Sequence, residues 1–73
     1  MRHFSPGQKV VVLSTGGWKN DAPGRILGPP EATTTLQGPD CYYWVEFDAP
    51  QQDINGPDEY SKAQILSRYI EAL

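Results

Sequence analysis

The stretch that most constrains the fold of this chain runs from Cys41 to Asp48, where aromatic and β-branched residues are densest. Such side chains pack well on the pleated, half-buried surface of a β-sheet. Successive side chains of a strand point to opposite faces. One face therefore carries the apolar side chains of Cys41, Tyr43, Val45 and Phe47, and the other carries Tyr42, Trp44, Glu46 and Asp48. The pattern predicts a central strand with one core face and one polar face that bears two large aromatics.

Glycine and proline separate the other apolar runs of the chain. The sequence has seven of each, a frequency that favours short strands and tight turns over helices. We expect further strands at 8–13, 24–28 and 31–37, with a long loop at 14–24. Pro50 has no N–H to give to a ladder, so we expect the central strand to end there.

The segment 61–73 has two interpretations. Its apolar residues recur at helical spacing, and a capping box could start a helix at Ser61. The alternative is a strand at 62–66, one 3₁₀ turn at 67–69 and a final strand at 70–73. We favour the alternative, because five strands can close a barrel whereas four strands and a helix leave edges unpaired. The predicted fold is a small all-β barrel of about five short strands with a 3₁₀ turn or short helix near the C-terminus.

Length and cysteine content limit how such a chain can be stabilised. The 73 residues have room for one domain, 1–73, in which 1–5 are expected to be frayed. Stability is thin at this size, and the single cysteine, Cys41, cannot form an internal disulfide. Homo-oligomerisation is the remaining common way to stabilise a domain of this size.

Neither a signal peptide nor a membrane-spanning run is recognisable, and a lone cysteine fits a reducing compartment, so we expect a cytoplasmic protein without a membrane partner.

The net charge of −3 is unevenly distributed. Four of the six basic residues lie in 1–38, whereas seven of the nine acidic residues lie in 39–73. Proteins that bind nucleic acids usually present a basic stripe, because neutralising phosphates supplies most of their affinity. The basic half offers only the scattered candidates Lys9, Lys19 and Arg25. The charge distribution therefore argues against a nucleic acid as the partner.

The order of these parts resembles that of an SH3-like β-barrel. A Pro-Gly pair precedes a Val-rich strand, and a long loop, a Gly-x-Ile strand, the aromatic strand and a short Gln-Ile strand follow. Proteins with this layout include the variable subunit of ferredoxin–thioredoxin reductase and many modules that bind peptides or nucleic acids. Two stretches are similar to the opening of the plasmid-borne type II dihydrofolate reductases, namely Gly7-Gln-Lys-Val-Val-Val-Leu-Ser-Thr-Gly-Gly-Trp18 and Gly24-Arg-Ile-Leu-Gly28.

The resemblance to the reductases implies four copies around a central pore that binds NADPH. The active-site strand of that family, Val-Gln-Ile-Tyr, would fall on 63–66, so Gln64 and Ile65 would be the cofactor-binding residues. The chain departs from the family at two pore positions. The pore tyrosine would fall on Leu66, which has no hydroxyl, and the pore lysine would fall on Val12, which has no charge to attract an anionic cofactor.

No combination of residues in the chain indicates a catalytic or metal site. The only histidine, His3, lies in the terminus expected to be frayed, and a nucleophile needs a base beside it. Trp18, Tyr42 and Trp44 are the candidate binding surface; alternatively, they complete the core. The leading hypothesis is a non-catalytic SH3-like interaction module whose partner is an unidentified protein or a second copy. An NADPH-binding reductase-like oligomer and a nucleic-acid-binding module are the alternatives.

Overall fold

The computed structural model describes residues 3–73, which form one antiparallel sheet of six strands. Met1 and Arg2, part of the segment predicted to be frayed, lie outside the described residues. A 3₁₀ turn follows the first strand at Ser14–Gly16, and another precedes the last strand at Ser67–Tyr69. The strands are β1 (Lys9–Val12), β2 (Ala22–Ile26), β3 (Glu31–Thr35), β4 (Gly38–Gln52), β5 (Glu59–Leu66) and β6 (Ile70–Ala72).

The long strand β4 organises the sheet. β2 and β3 pair with successive parts of one of its edges, and β5 pairs with the other edge. β1 pairs with β2, and β6 pairs with β1, which gives the order β6–β1–β2–β4–β5 with β3 beside the first part of β4. The sheet curls strongly into a half-barrel. The prediction of a small all-β domain with a 3₁₀ turn near the C-terminus is confirmed, and the predicted barrel of about five short strands is a half-barrel of six strands, of which β4 is 15 residues long.

The core lies on the concave side of this sheet. The predicted core face of β4 is confirmed, because all four of its side chains are buried while those between them are exposed or half-buried. Phe4 packs edge-on against Tyr43 at 5.5 Å between ring centroids, and its N–H donates to the Tyr43 hydroxyl at 3.0 Å. The buried apolar residues are Val10, Val12, Trp18, Ala22, Ile26, Cys41, Tyr43, Val45, Phe47, Ile65 and Ile70.

The prediction that the central strand ends at Pro50 is wrong. β4 continues to Gln52, and β5 pairs with it again at Gln51 after an irregularity in register that begins at Glu46. Pro50 lies inside this irregular stretch and pairs with neither β2 nor β5, so its missing N–H costs no ladder bond. β2 begins two residues before the predicted strand 24–28, because Ala22 and Pro23 pair with β1; Pro23 is tolerated there because the pairing of β2 with β4 starts only at Gly24.

A buried carboxylate holds the C-terminal strand–turn–strand in place. Asp40 is only 4% exposed, and it accepts hydrogen bonds from the Ser67 hydroxyl and from Nε of Arg68 at 2.9 Å. The same guanidinium donates to Thr35 at 2.9 Å and to Gln37 at 2.8 Å. These bonds need the 3₁₀ turn, which turns Ser67 and Arg68 toward the β3–β4 hairpin. Tertiary contacts therefore override the helical spacing of 61–73.

Candidate functional site

Two of the three predicted surface aromatics lie side by side on the outer face of β4. Trp44 is 40% exposed, and Tyr42 is half-buried. On β5, Gln64 lies opposite Trp44 and Leu66 lies opposite Tyr42. On the β2 side, the carbonyl of Trp44 accepts the N–H of Leu27 at 2.9 Å, and Leu27 is 43% exposed. We call this patch the Trp44 face, which comprises Leu27, Tyr42, Trp44, Gln64 and Leu66.

A row of charged side chains borders the Trp44 face. The strand register places Lys9 opposite Arg25, Arg25 opposite Glu46, and Glu46 opposite Lys62. The ammonium of Lys62 lies 5.8 Å from the centroid of the Trp44 ring, within the range of a cation–π contact. An aromatic patch with a charged margin resembles the centre and rim of a protein interface.

A groove of about 340 Å³ runs along one side of Trp44. Leu27 and Pro29 give it apolar walls, and Glu31 and Lys62 each place a charge at its margin. Ligand sites are typically concave and mostly apolar, with a few polar groups that orient the ligand. The groove can therefore take an apolar side chain and orient the polar groups beside it.

Trp18 does not belong to this surface. It is 9% exposed, and its ring packs edge-on against Phe47 at 5.0 Å and Tyr60 at 5.9 Å between centroids. A β-bridge between Trp18 and Asp53 fixes the loop that carries it. The structure therefore places Trp18 in the core. This agrees with the alternative interpretation of the sequence, in which the aromatic residues complete the core.

Gln64 and Ile65 are neighbours on β5, but their side chains point to opposite faces. Gln64 is exposed on the Trp44 face, whereas Ile65 is 4% exposed and belongs to the core. Val12, where the reductase resemblance would put the pore lysine, is fully buried. A lysine at that position would point its charge into the core, where an unpaired charge is costly.

Two of the three basic residues considered for nucleic acid, Lys9 and Lys19, contact polar side chains of neighbouring residues. The ammonium of Lys9 lies 3.4 Å from the Asp48 carboxylate. The ammonium of Lys19 donates to the side-chain oxygen of Gln52 at 3.1 Å, and Arg25 lies opposite an acidic residue in the charged row. They form no continuous basic stripe.

Within residues 3–73, no group of three or more histidine, cysteine, aspartate or glutamate residues could hold a metal ion. The same residues contain no helix that is long and apolar enough to cross a membrane.

Searches of models of protein families, of curated proteins and of solved structures found no match to the chain. The interpretation of the site therefore depends on the geometry described above.

Sequence reasoning did not find Leu27 and Lys62, which complete the surface around Trp44. A signal for Leu27 was present, because strand alternation places it on the face opposite the buried Ile26. Lys62 could not have been assigned, because only the pairing of β4 with β5 brings it to the ring.

Proposed function

We propose that this chain is a small non-catalytic binding module of SH3-like architecture whose Trp44 face contacts a protein partner, in the simplest case a second copy of the chain. The observation that carries the proposal is Trp44, which remains 40% exposed beside a groove that has both apolar and charged walls. Tryptophan is enriched among the residues that dominate binding energy at protein interfaces, where it is packed into desolvated pockets.

The strand order supports the architectural part of the proposal. The path β6–β1–β2–β4–β5, with a 3₁₀ turn between β5 and β6, is the layout expected for a five-stranded SH3-like barrel. β3 is the sixth strand and adds to this layout. It pairs with the first part of the β4 edge that β2 pairs with further along, so it extends the sheet beside β4. Many modules of this architecture bind peptides, which favours a binding role.

The affinity that Trp44 could contribute follows from its exposed area. If about 250 Å² is taken for a tryptophan, its 40% exposure leaves roughly 100 Å² to bury. At about 25 cal/mol per Å², this area corresponds to ~2.5 kcal/mol, or roughly a 50-fold change in dissociation constant. Trp44→Ala should weaken binding to a different protein by about that factor, and should weaken self-association by up to its square if the face is used by both copies.

Sedimentation velocity over a wide range of protein concentrations tests the proposal with a second copy as the partner. Leu36→Ala is the matched control, because Leu36 is a fully exposed apolar residue in the β3–β4 turn, outside the Trp44 face. We expect Trp44→Ala to shift the association equilibrium and Leu36→Ala to leave it unchanged. Equal association of wild type and Trp44→Ala would contradict the assignment of the face. A wild type that stays monomeric would exclude a second copy as the partner.

The second candidate function is an NADPH-binding oligomer similar to the type II dihydrofolate reductases. The observation in its favour is Gln64, which the resemblance assigns to the cofactor and which is exposed at the edge of a cavity. Burial of Val12 and the absence of a hydroxyl at Leu66 count against it. Titration with NADPH, followed by tryptophan fluorescence, and an assay of dihydrofolate reduction test it. Absence of both signals would exclude it.

A further inference from the structure

One edge of β5 has no strand beside it. β5 pairs with β4 along one edge, and no strand within residues 3–73 pairs with its other edge. A strand edge with unpaired N–H and C=O groups is a template for pairing with another extended chain. The cavity beside this edge determines whether such a chain has room to bind.

The register of the sheet shows which residues of β5 point their backbone groups outward. In an antiparallel ladder, the N–H and C=O of one residue point to the same edge, and this direction alternates along the strand. The Trp44 carbonyl accepts the N–H of Leu27, so the backbone groups of Trp44 point away from β5. Gln64, opposite Trp44, therefore directs its N–H and C=O away from β4. By the same alternation, Lys62 and Leu66 do so as well.

These outward groups border a slot of about 430 Å³. Residues 63–66 of β5 form one wall, and the turn at 16–18 with Tyr69 forms the other. Gly16 lets the turn approach closely, because a Cβ there would lie 3.1 Å from Cγ of Tyr69. From Tyr60 to Leu66 the edge is roughly 20 Å long at about 3.4 Å per residue, which accommodates an extended segment of about six residues.

The two ends of the slot differ in charge. Asp53, at the end near Tyr60, is the only charged residue among those that line it. Asp58 and Glu59 follow on the same connection, and residues 51–61 include no lysine or arginine. Lys19 is nearby in the fold, but its ammonium is directed to the Gln52 side chain. This end of the slot therefore complements a positive charge.

We propose that the slot binds an extended peptide as an added antiparallel strand on β5, with a lysine or arginine near the C-terminal end of the peptide beside Asp53. Main-chain hydrogen bonds to Gln64 supply the contacts, as in other cases where a peptide adds to a sheet edge. The orientation follows from the fold, since β5 begins at the Asp53 end and an antiparallel strand must end there. This site lies beyond the proposed function of the Trp44 face, because it uses the backbone of β5.

Two blocked peptides test the proposal: acetyl-Thr-Val-Thr-Val-Thr-Lys-amide, and the same peptide with glutamate in place of lysine. Isotope-labelled protein is titrated with each and followed by amide NMR and hydrogen exchange. We expect the lysine peptide to bind, to slow exchange of the Gln64 amide, and to bind about fivefold more tightly than the glutamate peptide. Asp53→Asn should reduce that preference. Equal affinity for both peptides, or no protection of Gln64, would overturn the proposal.

Gln64→Pro removes the outward N–H without removing a bond to β4, and proline is tolerated on strand edges of this kind. We expect it to weaken binding of the lysine peptide by about tenfold. Thr34→Pro is the matched control, because Thr34 lies on the edge strand β3 opposite Pro39, a pair that forms no ladder bond. Three results would each refute the proposal. Gln64→Pro could bind the lysine peptide as tightly as wild type does, or Trp44→Ala could abolish binding while Gln64→Pro does not. The third is protection of the Gln64 amide by self-association in the absence of peptide.

Discussion

Replacing Asp40 with asparagine tests whether the buried carboxylate holds the C-terminal turn. Asparagine keeps the shape of the side chain but loses the charge and has only one acceptor oxygen. The carboxylate accepts from Ser67 and the Cys41 N–H at one oxygen and from Arg68 at the other. The asparagine NH₂ would therefore face a donor at one of these positions, and in either orientation the guanidinium would lose its charged partner.

The magnitude follows from the pKa of this group. The Ser67 hydroxyl, followed by the Cys41 N–H and the Arg68 guanidinium, lowers the pKa of Asp40 from 3.8 to about 2, although burial acts in the opposite direction. At 1.36 kcal/mol per pH unit, the lowering corresponds to at most ~2.4 kcal/mol. Arg68 is 30% exposed, so solvent screens part of the interaction and we expect about 1–2 kcal/mol. Since the folded-state pKa is lowered, this stabilisation is fully present above pH 3.8 and is lost as the pH falls through about 2.

Urea unfolding of wild type and Asp40→Asn, followed by circular dichroism, measures the effect at neutral pH and near pH 2. We expect the free energies of unfolding to differ by about 1–2 kcal/mol at neutral pH and the difference to narrow near pH 2. Asp48→Asn is the control, since Asp48 forms only an exposed pair with Lys9 and should change stability by less than ~0.5 kcal/mol. Equal stability at neutral pH, or a difference that does not depend on pH, would refute the reasoning.

Two further substitutions test how closely the strands pack. Gly24→Ala should destabilise the fold by ~3 kcal/mol in urea unfolding, because the new Cβ would overlap the carbonyl oxygen of Glu46. Gly28→Ala is the control and should have little effect, because its Cβ meets open space; an equal loss of stability in the two variants would contradict the argument. Tyr43→Phe should lower the free energy of unfolding by about 1 kcal/mol and speed hydrogen exchange of the Phe4 amide, because it removes the hydroxyl that accepts this N–H at 3.0 Å. An unchanged exchange rate would show that the bond does not hold Phe4 against the sheet.

The alternation in β4 was predictable from sequence because it depends only on local geometry. Residues two positions apart share a face, so one apolar face was enough to identify Tyr43 and Val45 as core residues. The length of β4 was not predictable in this way. Whether a proline interrupts a ladder depends on the partner strand, and the irregularity between Glu46 and Gln51 spares Pro50 from any pairing.

The two tryptophans show the same limit for the candidate site. Trp44 lies within a regular strand, so its face followed from the alternation. Trp18 lies in a loop, and its burial depends on the bridge to Asp53 and on the rings of Phe47 and Tyr60. These contacts join residues that are far apart in the chain, and no local pattern encodes them.

Residues of β5 belong both to the Trp44 face and to the proposed peptide slot. The side chains of Gln64 and Leu66 belong to the Trp44 face, while their backbone groups point to the free edge. A strand added at that edge would extend the sheet and place its own alternate side chains beside the Trp44 face. A partner bound to that face would not use the N–H of Gln64. Both sites can therefore be occupied at once, and a peptide on β5 would change the surface that the partner contacts.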